Sequence, residues 1–270
     1  MTNTRYTHGH HDSVLRSHRW RTAENSAGYL LPLLHPGQSL LDVGCGPGTI
    51  TVDLATRVAP GRVVGIDAAP AAVEEARSML GSLPPTVAGK VSFEVGDLFA
   101  LDVDDGAFDV VHAHQVLQHV GDPVLALAEL KRVCRPGGIV AVRDADYPAM
   151  TYAPDDPVLA DALAAYRAVT RVNGAHCDAG RRLLGWAQQV GFSSVVPSAS
   201  VWCYATPDER AWWGGLWADR FTQSAMAAQL VEEGIASRPQ LQQFAQAWHR
   251  WADARDGWFA VLHGEVLCTP

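Results

Sequence analysis

The residues of this chain whose types and spacing could do chemistry begin with an acid and a glycine-rich loop. The loop and the acid before it consist of Asp42, Gly44, Cys45, Gly46, Gly48 and Thr49. Glycine allows backbone conformations that are closed to other residues, so a ligand can come close to main-chain atoms. The residues before the loop are apolar and residues 50–58 after it are predicted to be helical. A strand, a glycine loop and a helix form the nucleotide-binding corner of doubly wound α/β folds.

The glycine spacing separates the nucleotides that such a corner can bind. A dinucleotide site needs glycine at the first, third and sixth loop positions, so that a pyrophosphate can lie on the helix N-terminus. Here the fifth position is Gly48 and the sixth is Thr49. Asp42, directly before the loop, disfavours a pyrophosphate but suits a ligand that carries an ammonium group and a sulfonium. From this segment alone, a glycine-rich turn without a ligand remains the alternative.

Two further acids follow predicted strands at the spacing that a nucleotide site requires. Residues 63–66 are apolar and end at Asp67 and Ala68, where an acid can bind two ribose hydroxyls. The alternative for Asp67 is a helix N-cap. Residues 91–95 form a third predicted strand, and Gly96, Asp97 and Leu98 follow it. For Asp97 the alternative is an ordinary turn residue.

Two longer motifs connect the chain to a known family. Residues 107–120 read AFDVVHAHQVLQHV, and residues 130–138 read LKRVCRPGG. The acid and glycine loop, the two later acids and these motifs occur in order over residues 38–146. Together they resemble the class I S-adenosylmethionine-dependent methyltransferases, and the last two resemble the members that act in ubiquinone and menaquinone biosynthesis.

The resemblance implies a fold, a cofactor and a binding site. The fold would be α/β, a Rossmann-like doubly wound sheet of seven mostly parallel strands in the order 3-2-1-4-5-7-6, with helical cap insertions. The residues themselves predict five strand–helix repeats, which favour a mostly parallel sheet with helices on both faces. The cofactor would be S-adenosyl-L-methionine, which leaves as S-adenosyl-L-homocysteine, and Asp97 would face its adenine. The predicted cofactor-binding residues are Asp42, Gly44, Cys45, Gly46, Gly48, Thr49, Asp67, Ala68, Gly96, Asp97, Leu98, His114 and Gln115.

Segments outside this core are expected to select the acceptor. We predict an N-terminal helical lid over 1–36, with a helix from about 22 to 34, and a core over 37–206 with a cap segment at 147–178. A sixth strand is predicted over 194–204. A tryptophan-rich insertion over 207–256, with two predicted helices, precedes the last strand at 257–270. The predicted lid and substrate residues are Tyr6, His11, Arg181, Trp213 and Trp217. Most of the tryptophans are expected to pack the insertion onto the core.

Methyl transfer from a sulfonium mainly requires that the acceptor be held on the reaction axis with water excluded. A base is needed only if the acceptor arrives protonated. The candidates for that base are His114, His119, Asp146 and Tyr147.

Composition limits the other possible functions. The 270 residues are 48% hydrophobic and carry a net charge of −8, and no long basic block is present, so we expect no nucleic-acid partner. No apolar run reaches membrane-spanning length, and the five scattered cysteines predict neither a disulfide framework nor a metal site. We therefore expect a cytoplasmic enzyme with a small-molecule acceptor; a homodimer stays open. The alternatives are an adenosylmethionine-binding protein with a regulatory or cyclising role and a nicotinamide-dependent oxidoreductase.

Overall fold

The structure is a computed structural model that describes residues 17–270, and its centre is one eight-stranded sheet. Strands follow from runs of apolar residues; all four residues of the first strand are buried. The strands are β1 (Leu40–Val43), β2 (Val63–Asp67), β3 (Val91–Val95), β4 (Phe108–His114), β5 (Cys134–Ala145), β6 (Thr151–Ala153), β7 (Ser194–Tyr204) and β8 (Trp258–Thr269).

The strand order positions the carboxyl ends of the parallel strands together. The order of hydrogen-bonded neighbours is β3-β2-β1-β4-β5-β8-β6, and β7 also pairs with β8, along residues 259–269. The pairs from β3 to β5 are parallel, whereas β8 runs antiparallel to β5, β6 and β7. The predicted order is therefore found with one difference, the three-residue strand β6, which pairs with residues 258–260.

Helices cover both faces of this sheet. They are α1 (Ala23–Ser26), α2 (Thr49–Val58), α3 (Pro70–Met79), α4 (Pro85–Ala88), α5 (Pro123–Val133), α6 (Pro157–Val172), α7 (Ala179–Val190), α8 (Pro207–Gln223), α9 (Ala225–Glu232) and α10 (Arg238–Asp253). Successive residues of a strand point to opposite faces of the sheet. Leu40 therefore packs in one apolar cluster with α2 and α3, while Leu41 packs in another with α5 and α7. A third cluster joins α6, α8, α9 and α10 to β7 and β8.

Capping residues fix where several helices begin. Thr206 accepts a hydrogen bond from the Glu209 backbone and Glu209 returns one, which starts α8. Ser237 and Gln240 form the same capping box at α10. At α2 the N-cap is Gly48, whose φ of +81° suits glycine. The helix α2 therefore begins directly after the glycine loop.

Three sequence predictions about these elements are wrong. The N-terminal helix expected over 22–34 is capped by Thr22 but spans only Ala23–Ser26. Gly28 and Pro32 prevent it from continuing, and only a 3₁₀ turn, Leu31–Leu33, follows. Not every strand is followed by a helix: residues 96–107 connect β3 to β4 without one. The insertion contains three helices instead of two, since α9 lies between the expected pair.

Within residues 17–270, no helix combines the length and apolar content that crossing a membrane would require.

Candidate active site

A cavity of about 790 Å³ opens beyond the carboxyl ends of the parallel strands, where a doubly wound sheet binds its ligands. We divide its lining into two walls. The glycine-loop wall contains Asp42, Gly44, Cys45, Gly46, Thr49, Asp67, Ala68, Glu75, Gly96, Asp97 and Leu98. The aromatic wall contains Trp20, Arg21, His114, Gln115, His119, Tyr147, Met150, Trp202, Tyr204, Trp212, Trp213, Arg220 and Val261.

The glycines of the loop have two different roles. Gly44 and Gly46 line the cavity with φ of +71° and +53°, in the left-handed region that favours glycine. A Cβ at Gly44 would lie only 2.4 Å from Cγ2 of Val116. Gly48 is not a lining residue; a Cβ there would lie 2.9 Å from both Ala76 and Phe93. Gly48 therefore serves the packing of the loop against α3 and β3.

Asp67 ties the loop to the end of β2. Its two carboxylate oxygens accept from the backbone N–H groups of Gly46 and Ala69, both at 2.9 Å. The N-cap of α3 is Ala69, which has no side-chain cap bond, so Asp67 is not the N-cap residue. Each oxygen keeps a further lone pair, and Asp67 lines the cavity. The carboxylate is thus held in place and still able to accept from a ligand.

The tail of β3 supplies the other end of this wall. Asp97 is exposed, and its Oδ1 accepts from the Phe99 backbone N–H at 2.9 Å. Leu98, in contrast, is buried and packs with the sheet. This turn places a carboxylate and an apolar side chain next to each other on the cavity.

Asp42 is fixed from beneath the loop. Its carboxylate accepts from Thr51 Oγ1 at 2.5 Å and lies 2.7 Å from Nδ1 of His112, and both side chains are fully buried. His112 pairs with Asp42 across β1 and β4. His112 does not line the cavity, whereas His114, the last residue of β4, does.

The aromatic wall is a contact network of rings. Trp20 lies edge-on to Trp202, with centroids 5.2 Å apart, and 5.4 Å from Trp212. Tyr204 stacks on Trp213 at 4.3 Å and an interplanar angle of 13°. These rings come from the chain before α1, from the end of β7 and from α8. They form an apolar surface that suits a flat or hydrophobic molecule.

Comparison with known proteins agrees with this architecture. A family model described as "Methyltransferase domain" matches residues 34–190. An uncharacterized methyltransferase of Schizosaccharomyces pombe is 33% identical over 267 residues, which cover 97% of this chain and 95% of the relative.

The chain belongs to the methyltransferase family. This confirms the resemblance to class I small-molecule methyltransferases.

Two further comparisons place this methyltransferase among its relatives. An O-methyltransferase of Penicillium expansum, cnsE, is 40% identical over 126 residues, 46% of this chain and 43% of the relative. The solved structure of the [4+2]-cyclase SpnF aligns with a TM-score of 0.54 and 21% identity, covering 96% of this chain and 81% of that one. At that identity the likeness shows the fold alone.

Arg21 and Gln115 form a directed hydrogen-bond chain at the aromatic wall of the methyltransferase. Nη2 of Arg21 donates to Oε1 of Gln115 at 2.6 Å, and Nε2 of Gln115 lies 2.9 Å from Nε2 of His263. Nδ1 of His263 lies 3.1 Å from the carbonyl of Val261, which can only accept. His263 therefore donates from Nδ1 and accepts at Nε2. Gln115 has a φ of +54°, an uncommon value for a residue other than glycine, and so lies at a sharp bend after β4.

Both candidate histidines are neutral near pH 7; His114 is buried, and His119 is partly buried. Burial lowers the pKa of His114 well below its usual value, and the charges of Arg143 and Arg21 lower it further. Neither ring nitrogen of His114 has a hydrogen-bond partner among the described residues. Burial, followed by the charges of Arg21 and Arg220, lowers the pKa of His119 to about 3. Each imidazole can accept a proton, but only weakly.

The remaining predicted residues fall in different places. Tyr147 lines the cavity and contacts the ring of Tyr166 at 4.7 Å. Asp146 and Arg181 do not line it; the guanidinium of Arg181 donates to both oxygens of the buried Asp146 carboxylate, so the two side chains pair with each other away from the cavity. Tyr6 and His11 lie outside the described residues.

Only one of the two tryptophans that were predicted to contact the substrate lines the cavity. Trp213 lines it, but Trp217 does not. Trp217 is completely buried and stacks on Trp248 with centroids 5.4 Å apart. One helical turn on α8 therefore separates a ring on the cavity surface from a ring in the core.

Sequence reasoning did not select several lining residues. They are Trp20, Arg21, Trp202, Tyr204, Trp212 and Arg220. The sequence could have indicated two of them. Trp202 and Tyr204 stand two positions apart at the end of a predicted strand, so their side chains share one face. For the arginines no local pattern exists, because their position depends on how distant elements pack.

Proposed function

We propose that this methyltransferase binds S-adenosylmethionine on the glycine-loop wall and transfers its methyl group to a small molecule on the aromatic wall. The observation that carries this proposal is the single cavity that both walls line. A donor and an acceptor in one cavity can be aligned with each other, and this alignment together with the exclusion of water is the main requirement of an in-line displacement.

The residues of the glycine-loop wall fit the cofactor. Gly44 and Gly46 leave the backbone free of side chains, so the amino-acid part can lie against it. Asp67, held by two backbone N–H groups, would accept from the ribose hydroxyls, and Asp97 and Leu98 would hold the adenine. When bound, the cofactor supplies an electrophilic methyl group on a sulfonium.

The aromatic wall supports an acceptor that is aromatic, quinone-like or terpenoid. Trp20, Trp202 and Trp212 present ring faces and edges at the cavity. Such surfaces bind flat or apolar molecules through contact area. The similarity to an O-methyltransferase of Penicillium expansum supports an oxygen as the methylated atom, although the match covers less than half of either chain.

If the acceptor arrives protonated, His114 is the first candidate for the base. It lines the cavity and its ring nitrogens have no partner among residues 17–270. His119 and Tyr147 also line the cavity, and the ring of Tyr147 packs against that of Tyr166 with centroids 4.7 Å apart. Asp146 is the weakest candidate because it does not line the cavity and is paired with Arg181. The predicted lid over 1–36, a homodimer and a cytoplasmic location stay predictions.

The test supplies adenosylmethionine with an isotopically labelled methyl group to the purified protein and a metabolite extract of its source cells. We expect mass spectrometry to find label in a small molecule, and fragmentation to give the methylated atom. In parallel, calorimetry should show that S-adenosylhomocysteine binds and that NADH does not. NADH binding at micromolar affinity would contradict the proposal. Cofactor binding without any labelled product would favour the regulatory or cyclising alternative.

A further inference from the structure

We propose that the acceptor carries a carbonyl oxygen and that Tyr204 and Trp213, on the aromatic wall, bind this oxygen by hydrogen bonds. The inference rests on the proposed function for the role of the cavity, and it makes these two residues determinants of acceptor specificity. It narrows the acceptor from a flat or apolar molecule in general to an aromatic carbonyl compound.

Two buried hydrogen-bond donors of the aromatic wall lack a partner. The Tyr204 hydroxyl and Nε1 of Trp213 form no hydrogen bond among residues 17–270. Tyr204 is 1% and Trp213 is 5% exposed, and the two polar atoms are themselves buried, so bulk water does not pair them. Buried polar groups in proteins are almost always paired. Because both side chains line the cavity, a ligand there is the partner that residues 17–270 do not supply.

The two donors belong to one fixed pair of rings. Tyr204 ends β7, and its ring stacks on that of Trp213 of α8 with centroids 4.3 Å apart. Trp20 packs against Tyr204 at 5.7 Å, and Trp217 lies edge-on to Trp213 at 5.9 Å. Rings that are packed on several sides keep their orientation. The donors are therefore positioned before a ligand binds, which favours a specific contact.

The chemistry of the two groups selects the kind of atom that they bind. An indole N–H donates and cannot accept. Burial raises the pKa of the Tyr204 hydroxyl above its usual value, so the hydroxyl keeps its proton and donates. A carbonyl oxygen has two lone pairs and accepts from both donors. A hydroxyl or amino group would bring a hydrogen of its own, which Trp213 cannot accept.

A row of rings separates this pair from the candidate base. The ring of His114 lies 5.6 Å from that of Trp202. Trp20 contacts both Trp202 and Tyr204, at 5.2 and 5.7 Å. An aromatic acceptor that lies along this row would have its carbonyl group at Tyr204 and its methylated atom toward His114. The carbonyl group is then an anchor and not the reacting group.

An acceptor without a carbonyl oxygen would fit this wall less well. A site built to form hydrogen bonds rejects an analogue that lacks the matching group, because the buried donors then stay unpaired. Two other buried groups also lack a partner among residues 17–270, namely the Tyr29 hydroxyl and Nε1 of Trp248, but neither residue lines the cavity. Tyr29 therefore offers a control for the loss of a hydroxyl away from the site.

The experiment compares 2-acetylnaphthalene with 2-isopropenylnaphthalene, in which a CH₂ group replaces the carbonyl oxygen at nearly the same shape. Both are titrated into protein saturated with S-adenosylhomocysteine and followed by tryptophan fluorescence. We expect the ketone to bind about fivefold more tightly or better, as hydrogen bonds to buried donors would give. A purely apolar wall would prefer the more hydrophobic alkene. Equal affinities, or a preference for the alkene, would overturn the inference without any variant.

Variants localise the preference. Tyr204→Phe keeps the stacked ring and removes the hydroxyl, so it should weaken ketone binding about fivefold and leave alkene binding unchanged. Trp213→Phe tests the second donor with the same two ligands. Tyr29→Phe is the matched control and should change neither affinity. A ketone preference that survives intact in folded Tyr204→Phe protein would contradict the assignment.

The stability of the ligand-free protein separates a binding role from a structural one. The Tyr204 hydroxyl is unpaired without ligand, so Tyr204→Phe should not lower the midpoint of urea denaturation. Added ketone should raise the midpoint of the wild-type protein more than that of the variant. A lower midpoint for ligand-free Tyr204→Phe would show that the hydroxyl already stabilises the fold, and it would contradict the inference.

Failure of this inference can be told apart from failure of the proposed function. If S-adenosylhomocysteine binds but the ketone is not preferred, only the carbonyl site is wrong. If S-adenosylhomocysteine does not bind, the proposed function fails, and the comparison of ketone and alkene is made on the protein alone. Competition between the ketone and S-adenosylhomocysteine would place the ketone on the glycine-loop wall and overturn the inference.

Discussion

The two walls of the cavity are built by different means. The glycine-loop wall comes from residues 42–99, at successive carboxyl ends of β1, β2 and β3, and it offers glycine backbone and fixed carboxylates. The aromatic wall collects side chains from positions as far apart as Trp20 and Val261. The first wall depends on local backbone geometry, and the second depends on tertiary packing. Binding at the first should therefore resist changes that remodel the second.

The largest expected effect is a difference in stability between substitutions of two tryptophans on α8. Trp217→Ala should lower the free energy of unfolding by about 3 to 5 kcal/mol, because it empties a packed core position. Trp212→Ala should cost less than half as much, since Trp212 is only partly buried and borders the cavity. Urea denaturation measures both. Equal losses would mean that the aromatic wall is as much part of the core as Trp217.

The next prediction tests the backbone of the glycine loop. Gly44→Ala should weaken S-adenosylhomocysteine binding by about 100-fold or more, since the new Cβ must avoid Val116 and adopt a left-handed φ. Gly37→Ala is the control, because Gly37 has a φ of +91° but no atom within 4 Å of a built Cβ. Calorimetry that finds the same affinity for both variants would show that the loop does not approach the ligand.

A third prediction concerns the charge buried behind the aromatic wall. Burial raises the folded-state pKa of Asp144 from 3.8 to about 7, so the folded protein holds a proton that the unfolded chain releases first. Stability should therefore fall as pH rises from about 4 to about 7, and then level off. Asp144→Asn should remove this slope and raise stability at pH 8 by roughly 2 kcal/mol, about half of what three pKa units would give.

Asp109 is a control for that titration because its pKa is shifted in the opposite direction. Hydrogen bonds from Ser39 and Arg135 lower its pKa to about 2, so its contribution is present above pH 4 and is lost as pH falls toward 2. Asp109→Asn should change the acid limb of a denaturation series only. If both variants shift the same limb, the pKa of Asp144 is not raised.

The smallest expected effect concerns the affinity for the cofactor product. Asp67→Asn should weaken S-adenosylhomocysteine binding about tenfold, because the charge-assisted bonds to the ribose are lost. Asp53→Asn is matched to it: the Asp53 carboxylate also accepts from a backbone N–H, that of Ala23, but it does not line the cavity. Unchanged affinity in Asp67→Asn would leave Asp67 a purely structural role in the loop.

The sequence predicts the two walls unequally for a physical reason. Asp42, Gly44 and Asp67 act where a strand meets a loop, so neighbouring residues reveal them, and all three line the cavity. The bounds of β7 were predicted for the same reason. Arg220 reaches the cavity only because α8 packs on β7 and β8, which no local pattern encodes. Trp213 and Trp217 look alike in sequence, and only packing separates them.

The position of β8 has a consequence for how the molecule assembles. This strand is the last in the sequence, yet it lies inside the sheet and pairs with β5, β6 and β7. Until it docks, β5 has an open edge and β7 has no partner strand, and unpaired edges invite association between chains. Contacts of such long sequence separation form slowly. We therefore expect folding intermediates of this protein to be most prone to aggregation just before the final strand is inserted.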